Sequence, residues 1–372
     1  MSKKASWLQT VIFLAFIGIF FLLNLIIPDR DFSENENRYL EQMPKFTFSK
    51  LFNGKFTSDF EDYVTDQFAF RDSWTALKAR AELIIGKDEN KGIFLCEDER
   101  LIEAFEEPDM EDVDFSLSSI DTLAKNSEIP VYFALIPSPA EIYSELLPKG
   151  APNASQKELI DYAYSTVDAI NVDIYSALAR HKDESIFYRT DHHWTSLGAY
   201  YGYTAVCEAM GLEAKALSDY EESIVTESFL GTTFSSSGFA WVEPESISTY
   251  VKQGDAVITN YPNGKAIESS LYVESFLEAK DKYSYFYGGN TPLLTIETGK
   301  EELPSLLIVR DSYMDSMSPF LMEHFSTIHI IDLRYYNASL AGYIEANEID
   351  NILVSYSVPN FATDLNIFKI AY

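Results

Sequence analysis

The feature that most constrains this chain is a run of apolar residues close to its N-terminus. From Trp7 to Ile27 the sequence reads WLQTVIFLAFIGIFFLLNLII, with no charged residue inside it. Wound as a helix at ~1.5 Å per residue, such a run matches the ~30 Å hydrocarbon core of a bilayer. Lys3 and Lys4 precede it, and Pro28, Asp29 and Arg30 follow it. A cleaved secretory signal has a shorter apolar stretch and a small-residue exit. The run is therefore expected to be an uncleaved signal anchor, with its lysines on the cytoplasmic side and the remainder outside. No second run of that length follows, so one anchor is expected. The boundaries that result are a cytoplasmic tip and anchor over 1–30 and an extracytoplasmic domain over 31–372.

Composition narrows what that domain does. Acidic residues outnumber basic ones by 58 to 28, for a formal net charge of −30. Such a surface repels phosphate backbones, which argues against nucleic acid as a partner. The two cysteines, Cys96 and Cys207, make neither a disulfide scaffold nor a zinc site. One bridge between them is compatible with an extracytoplasmic location, and folding is not expected to depend on it. The 24 tyrosines and 26 phenylalanines are mainly core material, with a remainder that could line a sugar-binding groove.

Periodicity predicts an α/β architecture. In the lead-in over 31–90, Phe56, Phe60, Tyr63, Val64 and Phe68 recur at helical spacing, as do Trp74, Leu77, Ala81 and Ile84. Two helices are expected, separated near 67–71, with Gly86 closing the second and both packed on the main domain. Beyond them, strands are predicted at 92–95, 131–137, 186–189, 305–309, 328–331 and 352–356. Helices are predicted at 115–126, 159–178, 196–210, 316–325 and 340–346, with Gly211 capping the third of these. Short apolar strands alternating with helices imply a parallel sheet with crossovers. Residues from about 212 to 298 are rich in Ser, Thr, Gly and Tyr, and read as a β-rich insertion.

Two short constellations carry chemistry. The first is Thr190-Asp191-His192-His193-Trp194, between a predicted strand and a predicted helix. In an extended segment residues two apart share a face, so Asp191 and His193 are expected side by side, with His192 turned elsewhere. A carboxylate beside an imidazole fixes its tautomer and stabilises the imidazolium. A buried hydrogen-bonded pair and a metal site are the other readings of these residues; the metal reading lacks a second cluster of ligands. The second constellation is Arg310-Asp311-Ser312-Tyr313, directly after the apolar SLLIV. A serine at the tip of a buried strand can present its hydroxyl at a sharp turn, although an Asp-Ser pair before a helix is also what an N-cap requires. Ligands of open α/β sheets gather at the carboxyl ends of strands. Taken together at two such ends, the motifs suggest a triad of Ser312, His193 and Asp191, recognised by roles and not by chain order.

These segments resemble the DHHW protein family. The likeness lies in TDHHW, RDSY, the following SPFL and DLRYYN, and upstream in ENRYLEQMPKF, GKFTSDFEDYVTDQFAFRD and IPSPAEIYSELLP. That family is similar to the alginate O-acetyltransferase accessory proteins. The resemblance implies an SGNH-hydrolase-like (flavodoxin-like) parallel sheet flanked by helices, with Asp191 orienting, His193 as base and Ser312 as nucleophile. It also implies a membrane-anchored serine-dependent O-acyltransferase acting on a cell-envelope or secreted polysaccharide, with no cofactor. A membrane-bound O-acyltransferase is the implied source of the acyl group. A carbohydrate esterase using the same triad and a non-catalytic scaffold of an acyltransferase complex are the alternatives. Arg310 stands where SGNH-type blocks carry glycine, and a contact with an anionic substrate group is one use for it. Gly231 is a candidate oxyanion donor, Trp194 a candidate pocket wall, and Arg334 and Tyr335 candidate cleft residues. His324 and His329 are expected to be structural.

Overall fold

The computed structural model describes residues 3–252, 254 and 256–371, and the chain divides into two compact units. One comprises the N-terminal segment to Asn90 with Phe234–Trp241; the other runs from Lys91 to Thr233 and resumes at Val242.

In the first unit, the helix α1 (Lys3–Ile26) is long and apolar enough to cross a membrane. The lead-in forms α2 (Lys55–Asp66) and α3 (Arg71–Ile84), close to the predicted pair. Phe20 stacks on Phe68 at 5.4 Å and meets Trp74 edge-on at 5.5 Å. Asn24 Oδ1 accepts the Ala69 N–H at 2.7 Å, and Arg30 pairs with Asp72 at 2.8 Å. These contacts group the lead-in with the apolar helix in one compact unit that runs to Asn90.

The second unit is built on an eight-stranded sheet. Its strands are β1 (Val131–Ile136), β2 (Ile170–Val172), β3 (Val257–Asn260), β4 (Ile267–Ser269), β5 (Leu293–Glu297), β6 (Leu306–Arg310), β7 (Thr327–Ile331) and β8 (Asn351–Ser357). Their order is β4-β3-β5-β7-β6-β8-β1-β2. The five from β7 to β2 are parallel, while β5, β3 and β4 extend the sheet antiparallel. All six residues of β1 are buried, as a strand covered on both faces requires. Tyr132, Ala134, Ile136, Leu306, Ile308 and Leu353 face one core, covered by α6 (Ile174–Arg180), α7 (Ser196–Met210) and α8 (Met314–Leu321). Phe133, Leu135, Leu307, Val309, Ile352 and Val354 face the other. That side is covered by α4 (Met110–Asn126), α5 (Gln156–Thr166), α9 (Leu340–Ala346) and α10 (Val358–Thr363). Each Leu or Ile so buried stabilises the fold by roughly 1.5–3 kcal/mol.

Two expected elements take another form. The helix expected over 159–178 is α5, β2 and α6 in succession, because the Asp173 side chain accepts the Ser176 N–H and starts a new helix. No sheet strand forms at 186–189; that segment is a loop closed by an isolated bridge between Phe187 and Trp194. The expected β-rich insertion falls into two parts. Its first half is a hairpin, Glu221–Phe229 with Glu245–Val251, and its second half supplies β3, β4 and β5 to the main sheet. Cys96 and Cys207 are both free thiols.

The topology singles out one strand end. From β6 the chain passes through α8 on one face to β7, then back through α9 on the other face to β8. Since β6 lies between β7 and β8, its carboxyl end is a switch point of the kind where α/β sheets bind ligands.

Candidate active site

Asp311 and Ser312 follow β6 at that switch point. Asp311 is buried and accepts four hydrogen bonds. Its Oδ1 takes the Tyr313 N–H at 3.1 Å, and its Oδ2 takes the Ser357 N–H (2.8 Å), the Ser357 hydroxyl (2.7 Å) and Asn360 Nδ2 (2.8 Å). The turn carrying Ser312 is thereby pinned to the end of β8 and the start of α10. Ser312 itself stays half-buried, with its carbonyl accepting the Asp315 N–H.

The histidine motif sits on the 186–195 loop. Asp191 Oδ1 accepts the His193 backbone N–H at 3.0 Å, an Asx-turn. The turn, and not the extended alternation expected, places Asp191 beside His193. The same oxygen lies 2.5 Å from His193 Nδ1. Asp191 Oδ2 accepts the Thr232 N–H (2.7 Å) and hydroxyl (3.0 Å). Burial alone would raise the pKa of Asp191. The adjacent His193 and His192, with the Thr232 N–H, outweigh it and hold that carboxyl well below its usual range. An ionised carboxylate only accepts, so Nδ1 of His193 carries the proton. Nε2 then faces Ser312 Oγ at 2.8 Å. The three side chains thus form one line, carboxylate to imidazole to hydroxyl, with His193 and Ser312 119 residues apart in sequence.

Aromatic rings fix the imidazole from both sides. Tyr283, from the insertion, stacks on His193 at 3.7 Å with planes 7° apart, and its hydroxyl donates to the Ser312 carbonyl at 3.3 Å. His192 was expected to turn away. It lies against His193, ring centroids 3.8 Å apart, with Nδ1 2.5 Å from Thr232 Oγ1. The Tyr313 hydroxyl donates to the His192 carbonyl.

The remaining candidates from sequence fare differently. Arg310 is buried and makes no substrate surface; its guanidinium lies 2.9 Å from Asp315 and donates to Asn290 at 2.7 Å. Its position follows from strand alternation, since it shares the inward face of Leu306 and Ile308. Deep burial pushes Asp315 up to about 7 despite the opposing Arg310 charge. Trp194 is fully buried. Its Nε1 donates to the Tyr313 carbonyl at 2.8 Å, so it joins the two motifs from beneath. A Cβ at Gly202 of α7 would come within 2.7 Å of that ring. Gly231 is not placed as an oxyanion donor, because its N–H points to the Thr190 hydroxyl at 3.2 Å. It is glycine because a Cβ there would sit 2.3 Å from the Asp191 carboxylate. Arg334 is tied to Asp332 at 2.6 Å, and Tyr335 beside it is 48% exposed; these two remain cleft candidates. His324 meets the Tyr203 hydroxyl at 2.7 Å and His329 that of Tyr343 at 2.8 Å, both away from this line.

Asp191, His192 and His193 also bring three potential metal-ligand atoms within 4.8 Å of one another. Thr232 and Tyr283 were missed from sequence. Thr232 adjoins a glycine that was singled out, whereas nothing in the spacing of Tyr283 marks it.

The sequence profile of the family described as DHHW protein matches residues 119–331, more than half of the chain. A curated relative from Pseudomonas aeruginosa, named probable alginate O-acetylase AlgJ, is 26% identical over 193 residues. That alignment covers 47% of this chain and 47% of the relative, so this chain spans about half the length of the curated relative it matches. A crystal structure of a DHHW family protein from Eubacterium siraeum is 28% identical with a TM-score of 0.65, covering 75% of this chain and 94% of that one. Bacillus cereus PatB1, solved with a sulfonyl adduct, is 22% identical with a TM-score of 0.63, covering 74% and 97%. The shared fold is an SGNH-hydrolase-like α/β sheet.

Proposed function

We propose, from the premise that this chain belongs to the DHHW protein family, that it is a serine-dependent O-acyltransferase held at a membrane by α1. The observation that carries this reading is the hydrogen-bonded line from Asp191 through His193 to Ser312. Ser312 Oγ attacks the acyl carbonyl of a donor while His193 Nε2 takes its proton. The donor's leaving group departs with that proton, and the acyl group is left as an ester on Ser312. A hydroxyl of a polysaccharide then attacks the ester, gives its proton to His193, and carries the acyl group away as Ser312 is reprotonated. Asp191 remains a carboxylate throughout and stabilises the imidazolium.

The name of the Pseudomonas relative, an alginate O-acetylase, supports acetyl as the group moved and a cell-envelope or secreted polysaccharide as its acceptor. A membrane-bound O-acyltransferase is the partner that would deliver the acyl group. The lysines before α1 favour the sheet domain outside the membrane.

The test uses the full chain in detergent, with p-nitrophenyl acetate as donor and an acetyl-free oligosaccharide as acceptor. Transfer to the sugar is expected from the parent and not from Ser312→Ala. Transfer by Ser312→Ala at the parental rate contradicts the reading. Release of acetate alone, with acceptor present, makes the protein an esterase.

A further inference from the structure

The loop that carries Asp191 and His193 is held by few backbone bonds, among them the Tyr188 N–H to the His193 carbonyl at 3.3 Å, the Thr195 N–H to the Ile186 carbonyl at 3.0 Å and the Leu101 N–H to the Arg189 carbonyl at 2.8 Å. Among the described residues its ladder pairing is the single bridge between Phe187 and Trp194. The N–H groups of Arg189 and Thr190 need acceptors from elsewhere, and one carboxylate meets both. Glu245, the first residue of the second hairpin strand, accepts the Thr190 N–H at 2.7 Å and the Thr190 hydroxyl at 2.6 Å. It also accepts the Arg189 N–H at 2.9 Å.

The tie does not stop there. With its proton on Glu245, the Thr190 hydroxyl accepts the Gly231 N–H at 3.2 Å. Gly231 is followed by Thr232, whose N–H and hydroxyl hold Asp191 Oδ2. Both ends of the Asp191 environment, the loop before it and the Gly231–Thr232 segment across from it, therefore converge on the Glu245–Thr190 pair. Charge-assisted hydrogen bonds of this kind are the stronger ones, and the Ser196 hydroxyl, on the first residue of α7 directly after the loop, donates to the hairpin at the Ser248 carbonyl, 2.7 Å.

We infer that Glu245 is a positioning residue of the candidate site, through which the insertion hairpin sets the place of the Asp191–His193 pair relative to Ser312. Its catalytic consequence rests on the acyl-serine reading above; its geometric consequence does not. Misplacing a catalytic pair by a fraction of an ångström slows the chemical step far more than it weakens ground-state binding.

The experiment compares the full-length parent with Glu245→Gln, in which an amide N–H₂ must face one of the three donors. Two readouts are taken: labelling of Ser312 by a fluorophosphonate, split into its maximal rate and half-saturating concentration, and the low-field NMR resonance of the His193 Nδ1–H. Glu245→Gln is expected to lower the maximal rate by between about tenfold and about a hundredfold. The half-saturating concentration should stay within about twofold, and the low-field resonance should move or exchange faster. Thr190→Val should shift both readouts the same way, and Thr190→Ser should recover most of that loss; this pair keeps the test decisive if Glu245→Gln does not fold. Parental labelling together with an unmoved resonance in Glu245→Gln overturns the inference. A parent that does not label at Ser312, with a resonance that still moves in Glu245→Gln, sinks the acyl-serine reading and leaves the positioning role standing.

Discussion

Ser312 and His193 meet at one hydrogen bond, yet the chain holds them by opposite means. Ser312 follows a strand buried on both faces, and the Asp311 beside it is bonded to β8 and α10. His193 lies on a loop with a single bridge and a few backbone hydrogen bonds, tied further by side chains: Asp191, Thr232, Glu245 and the Tyr283 ring. Ser312 is held by the sheet and His193 chiefly by a web of polar contacts. The difference teaches where each can be damaged. Harm to the Ser312 turn should appear as lost stability, because the sheet must give way with it. Harm to the His193 loop should appear as lost rate in a protein that remains folded.

The largest effect that sharpens this contrast is Asp191→Asn. The amide cannot hold the required tautomer, and Ser312 labelling should slow by about 10⁴-fold with the fold kept. The same variant carries a pH signature. The folded pKa of Asp191 is depressed, so its stabilising contribution is complete above the unfolded value of about 3.9 and is lost as pH falls toward the lower folded one. Acid-unfolding curves should show the parent losing stability below about pH 4, and Asp191→Asn losing part of that dependence. Next comes Asp311→Asn, which sets an amide against four donors. It should cost about 3 kcal/mol of stability by denaturant unfolding, while its folded fraction labels at nearly the parental rate. A rate loss without a stability loss at Asp311 would break the comparison. The smallest is Gly231→Ala. Its Cβ would press on Asp191 at 2.3 Å, and relief of that overlap should cost about 1–3 kcal/mol, read as slower labelling with a modest change in melting temperature.

The same divide explains what was legible in the sequence. The buried strand at 131–136 and the helices Ser196–Met210 and Leu340–Ala346 stand where periodicity put them, since apolar spacing records which faces are covered. The short edge strand Ile170–Val172 and its flanking breaks were read as one helix; three residues carry no period. The grouping of Asp191, His193 and Ser312 was expected from their residue types, although only Ser312 stands at a strand end and the other two on a loop. Their supports were not. Thr232, Glu245 and Tyr283 come from the insertion, and no local pattern says which loop a distant side chain will reach. Arg310 was misread as a substrate contact, although its place two residues after Ile308 already implied an inward side chain.

The central claim, that Ser312 carries the acyl group between donor and acceptor, is tested most directly by mass spectrometry of the Ser312 peptide after a short pulse with p-nitrophenyl acetate. A chase with oligosaccharide acceptor follows the pulse. The account predicts one added acetyl group on Ser312 after the pulse, its loss during the chase, and its appearance on the sugar; the Ser312→Ala chain should show none of these. Acetylated sugar formed with no acetyl ever found on Ser312, or formed equally by Ser312→Ala, would contradict it.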